Sequence, residues 1–155
     1  ADFNRAKIEH LEGIIKILPW IATIDKFQHW IYTNPTHTAQ ERKEYWVKLS
    51  KEFGTGLVNW DGYEHFQQYT WQKQLHLFEV PFYYIEYGIA QLGALSVWRN
   101  YLKDKNKAVE QYKNALSLGY TKTIGEIYEA AGIKFDFSEA YIKSLMEFVF
   151  AELKK

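Results

Sequence analysis

The spacing of apolar residues near the start of the chain constrains the fold most. Ile8, Leu11, Ile14, Ile15, Leu18, Ile21, Ala22, Ile24, Phe27 and Ile31 recur at intervals of three and four. That period puts side chains on one face of a helix and on both faces of a strand, so residues Phe3 to Tyr32 are expected to be helical. Pro19 lies inside the pattern. It removes one backbone hydrogen bond and is expected to kink the helix or split it in two.

The same period continues downstream. Thr33-Asn34-Pro35 stops the first helix. Thr38 and Glu41 have capping-box spacing and open a second helix through Tyr45, Trp46, Leu49 and Phe53, ended by Gly54 and Gly56. Gly56 to Thr70 is the least regular part, and a short helix over Trp71 to His76 is expected next. A long helix then runs from about Pro81 to Leu102, followed by a polar turn at Lys103 to Asn106. Lys107 to Leu118, closed by Gly119, and Thr123 to Ala131, closed by Gly132, are two more helices. Ser138 is the expected N-cap of the last. No segment alternates with period two, so the fold class is all-α, an irregular bundle of six or seven helices.

At 155 residues the chain is long enough for one cored helical domain and short for two. Nineteen basic residues balance nineteen acidic ones without a basic patch, which argues against nucleic acid. No apolar run reaches the length of a membrane span, so no membrane partner is expected. The lack of cysteine excludes disulfides and thiolate ligands and fits a reducing, cytoplasmic setting. Aromatics are the anomaly, at 18% of residues with 12 Tyr, 10 Phe and 6 Trp. So many rings imply large buried areas and some phenol and indole groups at a binding surface. Trp20, Trp30, Trp46 and Trp98 read as core, whereas Trp60 and Trp71, in the irregular stretch, are better placed to line a groove.

The stretch His76 to Trp98 concentrates polar rings on an apolar support. Pro81 suits a first helical turn, because it lacks the N–H that would go unpaired there. A helix starting there puts Tyr84, Tyr87 and Gln91 on one face and Ile85, Ile89 and Leu92 on a neighbouring stripe that can bury. Gly88, Ala90, Gly93 and Ala94 remove bulk and let another element approach closely. An imidazole and phenols on a rigid support can hydrogen-bond a substrate. They serve equally well in a core, and His76, Tyr84 and Tyr87 by themselves are compatible with either role.

Familiar motifs of catalysis are absent. There is no glycine-rich phosphate loop and no nucleophile elbow. None of the five histidines (His10, His29, His37, His65, His76) has a partner at His-Glu-x-x-His spacing, so no metal ligands are assigned. His29 reads as a packed or hydrogen-bonded helix residue, and His10 and His37 as exposed.

The segment Asp25-Lys-Phe-Gln-His-Trp-Ile-Tyr32, with Asn34-Pro35, Arg42 and Trp46 after it, resembles the C-terminal part of the M3 family of zinc oligoendopeptidases, of the oligoendopeptidase F type. The block His76-x5-Phe-Tyr-Tyr-Ile-Glu-Tyr-Gly-Ile-Ala strengthens the resemblance, which extends from about Ile8 to the end. It implies the C-terminal lobe of an all-α, two-lobed peptidase with a deep channel. The family's His-Glu-x-x-His motif and downstream metal-binding Glu lie N-terminal to the matched region and have no counterpart here. The expectation is therefore a fragment of a longer chain, inactive alone and binding no metal, with zinc, short peptide substrates and the remaining chain as the parent's cofactor and partners.

The resemblance also implies roles. His76 would contact the substrate near the scissile bond. Tyr84 and Tyr87 would match a tyrosine pair that binds substrate backbone and stabilises the tetrahedral intermediate. Tyr83 joins His76 as a substrate contact, although a one-residue shift exchanges it with Tyr84, and alone it reads as structural. A different class of function stays open. Lys107 to Gly119 with Thr123 to Gly132 resembles a tetratricopeptide helix pair, with Ala108, Tyr112, Ala115 and Leu116 at packing positions, which would make the chain a non-catalytic peptide- or protein-binding module.

Overall fold

The computed structural model describes residues 2–155. In chain order the helices are α1 (Asp2–Thr33), α2 (Ala39–Phe53), α3 (Glu64–Gln67), a 3₁₀ turn (Thr70–Lys73), α4 (His76–Glu79), α5 (Ile85–Lys103), α6 (Lys105–Ser117), α7 (Ile124–Ala130) and α8 (Glu139–Leu153). Among the described residues there is no strand. The helices beyond the expected six or seven are the four-residue pieces, which are too short to give a periodic signal. Among the described residues no helix is long and apolar enough to cross a membrane. The chain forms two compact units, one of Glu12–Gly88 and one of the N-terminal residues through Leu11 with Ile89–Lys155.

In the unit Glu12–Gly88 the core consists of Ile24, Phe27, Trp46, Leu49 and Trp71. Pro19 does not split α1, which is continuous from Asp2 to Thr33. An interior proline costs about 3 kcal/mol. Burial of Ile14, Ile21, Ile24 and Phe27 on either side of it offsets that at about 1.5–3 kcal/mol per side chain. The box on α2 is complete: Thr38 Oγ1 accepts the Glu41 N–H at 3.2 Å, and Glu41 accepts the Thr38 N–H at 2.7 Å. Glycine stands at the C-cap, position 54, for a steric reason, since a Cβ there would lie 2.3 Å from the Ser50 carbonyl oxygen.

Trp71 corrects an expectation. It lies in the 3₁₀ turn but is only 8% exposed and packs on Phe27, so it belongs to the core and lines no groove. The irregular segment is tied to that core by the Trp46 indole, which donates to Thr70 Oγ1 at 2.8 Å. The expected helix over Trp71 to His76 is instead the 3₁₀ turn and α4, with a break at Gln74 and Leu75. His37 is half-buried, not exposed. Its Nε2 accepts from Arg42 Nε at 2.8 Å, which leaves Nδ1 as the donor to the Asn34 carbonyl.

In the other unit Ala115, Ala131 and Ile133 form a small core, with Val97, Ile127 and Tyr128 against it. Gly93 permits the approach of Tyr128, because a Cβ at Gly93 would come within 2.9 Å of the phenol oxygen. Helix α6 begins earlier than its charges imply. Asp104 accepts the Lys107 N–H at 3.1 Å and acts as N-cap, so the stretch Lys103 to Asn106 is mostly helical. Thr123 and Glu126 form a second complete capping box on α7, and Ser138 caps α8 as its position implies. Gly119 and Gly132 adopt left-handed φ of 52° and 72° after α6 and α7.

These caps make stability depend on acid. The Thr38 N–H holds the Glu41 carboxyl below its usual range, helped by the Thr38 hydroxyl. Thr123 does the same to Glu126, and the Ser138 N–H lowers Asp136. Glu152 is lowered chiefly by its hydrogen bond to Lys155 and then by Lys7 at 3.0 Å, against burial that raises it. Each carboxyl binds a proton less readily folded than unfolded. Their contribution is therefore complete above the unfolded carboxylate pKa and is lost as pH falls through the lower, folded values. Urea midpoints measured from neutral pH down to about pH 3 should hold level and then drop, and Glu41→Gln with Glu126→Gln should make the drop shallower.

Candidate functional site

The candidate site lies in the unit Glu12–Gly88, where α4 gives way to α5. Helix α5 does not begin at Pro81. Val80 to Tyr83 form a turn, closed by the Tyr83 N–H on the Val80 carbonyl at 3.1 Å. Pro81 occupies the second position of this turn, and Phe82, the third, has φ of 60°. That is a type II pattern, whose third position ordinarily takes glycine. Phe82 is held there from outside the turn. Its N–H donates to Gln28 Oε1 at 2.9 Å, and Gln28 is only 2% exposed. Its ring packs against His29 and Tyr32, with centroids at 4.8 and 5.0 Å. His29 is exposed, but its ring meets Phe82 and its Nε2 lies 3.5 Å from the Asp25 carboxylate.

The turn delivers Tyr83 and Tyr84 beside His76. The Glu86 N–H on the Tyr83 carbonyl at 3.0 Å and the Tyr87 N–H on the Tyr84 carbonyl at 3.3 Å lead the chain into α5. Tyr84 therefore precedes the helix, yet its ring is 5.3 Å from that of Tyr87. The His76 ring is 4.9 Å from Tyr84, 5.7 Å from Tyr87 and 6.4 Å from Tyr83. The Tyr83 and Tyr87 rings are 5.8 Å apart. All the residues singled out in the sequence for this site therefore form one cluster.

Their surroundings differ. Tyr84 is half-buried and packs against the Trp46–Trp71 core, which fixes its ring. Tyr83 and Tyr87 are 48% and 44% exposed, so both rings lie at the surface of the cluster. His76 Nε2 is 3.4 Å from the Tyr87 hydroxyl, at the long limit of a hydrogen bond. Its Nδ1 is 2.7 Å from Gln74 Nε2, and Gln74 Oε1 accepts the Trp20 indole N–H at 3.3 Å. Gln28 and Phe82 stand in the segments that carry the family resemblance, but no signal there or at Gln74 assigns them these parts in the site. Their parts come from partners far along the chain. The site offers phenol O–H donors and an imidazole. Among the described residues no three His, Asp or Glu converge to hold a metal ion, so these side chains do not fit a zinc site. Gly88, buried at the start of α5, lets Ile21 approach, since a Cβ there would lie 3.3 Å from Ile21 Cγ2.

The fold recurs in known proteins. A crystal structure assigned as oligoendopeptidase F matches with a TM-score of 0.88 and 27% identity, over 99% of this chain and 27% of its own. PZ peptidase A, solved with an inhibitor, matches with a TM-score of 0.84 and 27% identity, over 95% of this chain and 26% of its own. The chain thus spans about a quarter of the length of either structure. No curated protein sequence matches it. The sequence pattern of peptidase family M3 matches residues 4–147, nearly the whole length, and the chain is a member of that family.

Proposed function

We propose that this chain is the C-terminal helical part of a zinc-dependent oligoendopeptidase that hydrolyses short peptides, and that it provides the wall of the site that touches the substrate. The clustering of His76, Tyr83, Tyr84 and Tyr87 carries the proposal. Tyr84 and Tyr87 donate their hydroxyls to the carbonyl oxygen on which negative charge develops. Tyr83 holds the peptide beside them through its hydroxyl, and His76 lines it with the face of its ring. A phenol fixed by core packing, as Tyr84 is, needs little reorganisation when that charge appears.

The zinc implied by the family is assigned to the rest of the parent chain, because the family's His-Glu-x-x-His motif lies N-terminal to the region matched here, and the role proposed for this chain is hydrogen-bond donation. We infer a cytoplasmic parent, a setting that the cysteine-free sequence fits. Alone, the chain is expected to be inactive. Purified by itself it should show no hydrolysis of a short fluorogenic peptide and no bound zinc by elemental analysis, while the intact parent shows both. Turnover or stoichiometric zinc in the isolated chain would overturn the assignment.

A further inference from the structure

We infer that Gln74 is a positioning residue that fixes the tautomer of His76 and thereby the direction in which Tyr87 donates. The inference rests on the proposed role of Tyr87 only in its last step. A tryptophan indole N–H can only donate, so the atom of Gln74 facing Trp20 Nε1 at 3.3 Å is its carbonyl oxygen. The amide NH₂ then faces His76 Nδ1 at 2.7 Å. An NH₂ can only donate, so Nδ1 accepts and the imidazole proton sits on Nε2. That N–H points toward the Tyr87 hydroxyl oxygen, 3.4 Å away.

The polarity of the whole chain follows. Trp20 donates to Gln74, Gln74 to His76, and His76 to Tyr87. With its oxygen engaged as an acceptor, Tyr87 keeps its own hydrogen for an outside partner. The opposite tautomer would present a bare Nε2 and draw the Tyr87 hydrogen inward, away from substrate. Trp20 is therefore the fixed end of the relay. It is packed edge-on against Trp46, with ring centroids 5.8 Å apart, so the first donor is anchored in the core.

The test is the tautomer, read from ¹⁵N resonances of histidine-labelled full chain in alkaline solution, with His76→Gln used to assign the signal. In the wild type Nε2 should carry the proton and Nδ1 should be bare. A wild-type His76 protonated on Nδ1 overturns the inference, and this needs no variant to fold. Gln74→Glu keeps the shape and still accepts from Trp20, but presents His76 with an acceptor. It should move the proton to Nδ1, and an unmoved proton overturns the inference. In the parent enzyme the same substitution should lower kcat by at least tenfold with KM little changed, and Gln74→Asn should not restore it, because the shorter amide cannot span both partners. If the tautomer is as assigned but Tyr87→Phe leaves peptide hydrolysis intact, the positioning role stands and the peptidase assignment of Tyr87 falls.

Discussion

Tyr87→Phe in the intact parent should lower kcat by about 10²- to 10³-fold, because it deletes one donor to a developing oxyanion and nothing else of comparable size. The ring remains, so its packing against Tyr84 and Tyr83 at 5.3 and 5.8 Å is kept. The Tyr87 hydroxyl meets His76 Nε2 only at 3.4 Å and on the exposed side, so losing it leaves no buried group unpaired. KM should change far less than kcat, the pattern left when an interaction made only in the transition state is removed. Steady-state kinetics on a short peptide decide the matter, and an unchanged kcat removes the role. Tyr83→Phe is the matched control. It is equally exposed, it is assigned to substrate contact, and it should act mainly on KM.

Trp46→Ala is the substitution expected to unfold most. Trp46 is fully buried, meets Phe27 and Trp20 edge-on at 5.0 and 5.8 Å, and donates to Thr70 at 2.8 Å. Removing a buried tryptophan ring costs about 3–5 kcal/mol, a large part of the ~5–15 kcal/mol that stabilises a domain. Urea denaturation should show the midpoint falling accordingly, and a loss below about 1 kcal/mol would mean that the core closes around the gap. Trp46→Phe separates two terms. It keeps an aromatic ring and loses the bond to Thr70, which ties down the segment leading to Gln74 and His76.

The regular part of this fold is visible in the sequence because local chemistry decides it. Thr38 with Glu41 and Ser138 are caps whose partners lie within three residues, and both form as spaced. The apolar intervals through α1 give its buried face directly, and burial there outweighs Pro19. What the sequence conceals is decided at a distance. Pro81 is a sound helix opener by local rules, yet the backbone there turns because Gln28, 54 residues earlier, accepts the Phe82 N–H. Trp71 lies in a piece too short to give a period, but Phe27 receives it in the core. Asp104 was obscured by neighbouring charges that read as a solvated turn. At the site, His76 and the tyrosines could be named from their block, whereas Gln74 could not. Its importance depends on an indole from α1, and nothing at its own position signals that.

The left-handed backbone at Phe82 also sets which side chains this position will tolerate. The conformation costs an L-residue roughly 1–2 kcal/mol, and a β-branched side chain fits it worst. Valine or isoleucine, the conservative replacements by hydrophobicity, would be the poorest choices. Glycine would suit the backbone while giving up the ring that seats on His29 and Tyr32. An alphabet ordered by polarity would thus misjudge this position, and one ordered by backbone handedness would rank its occupants correctly.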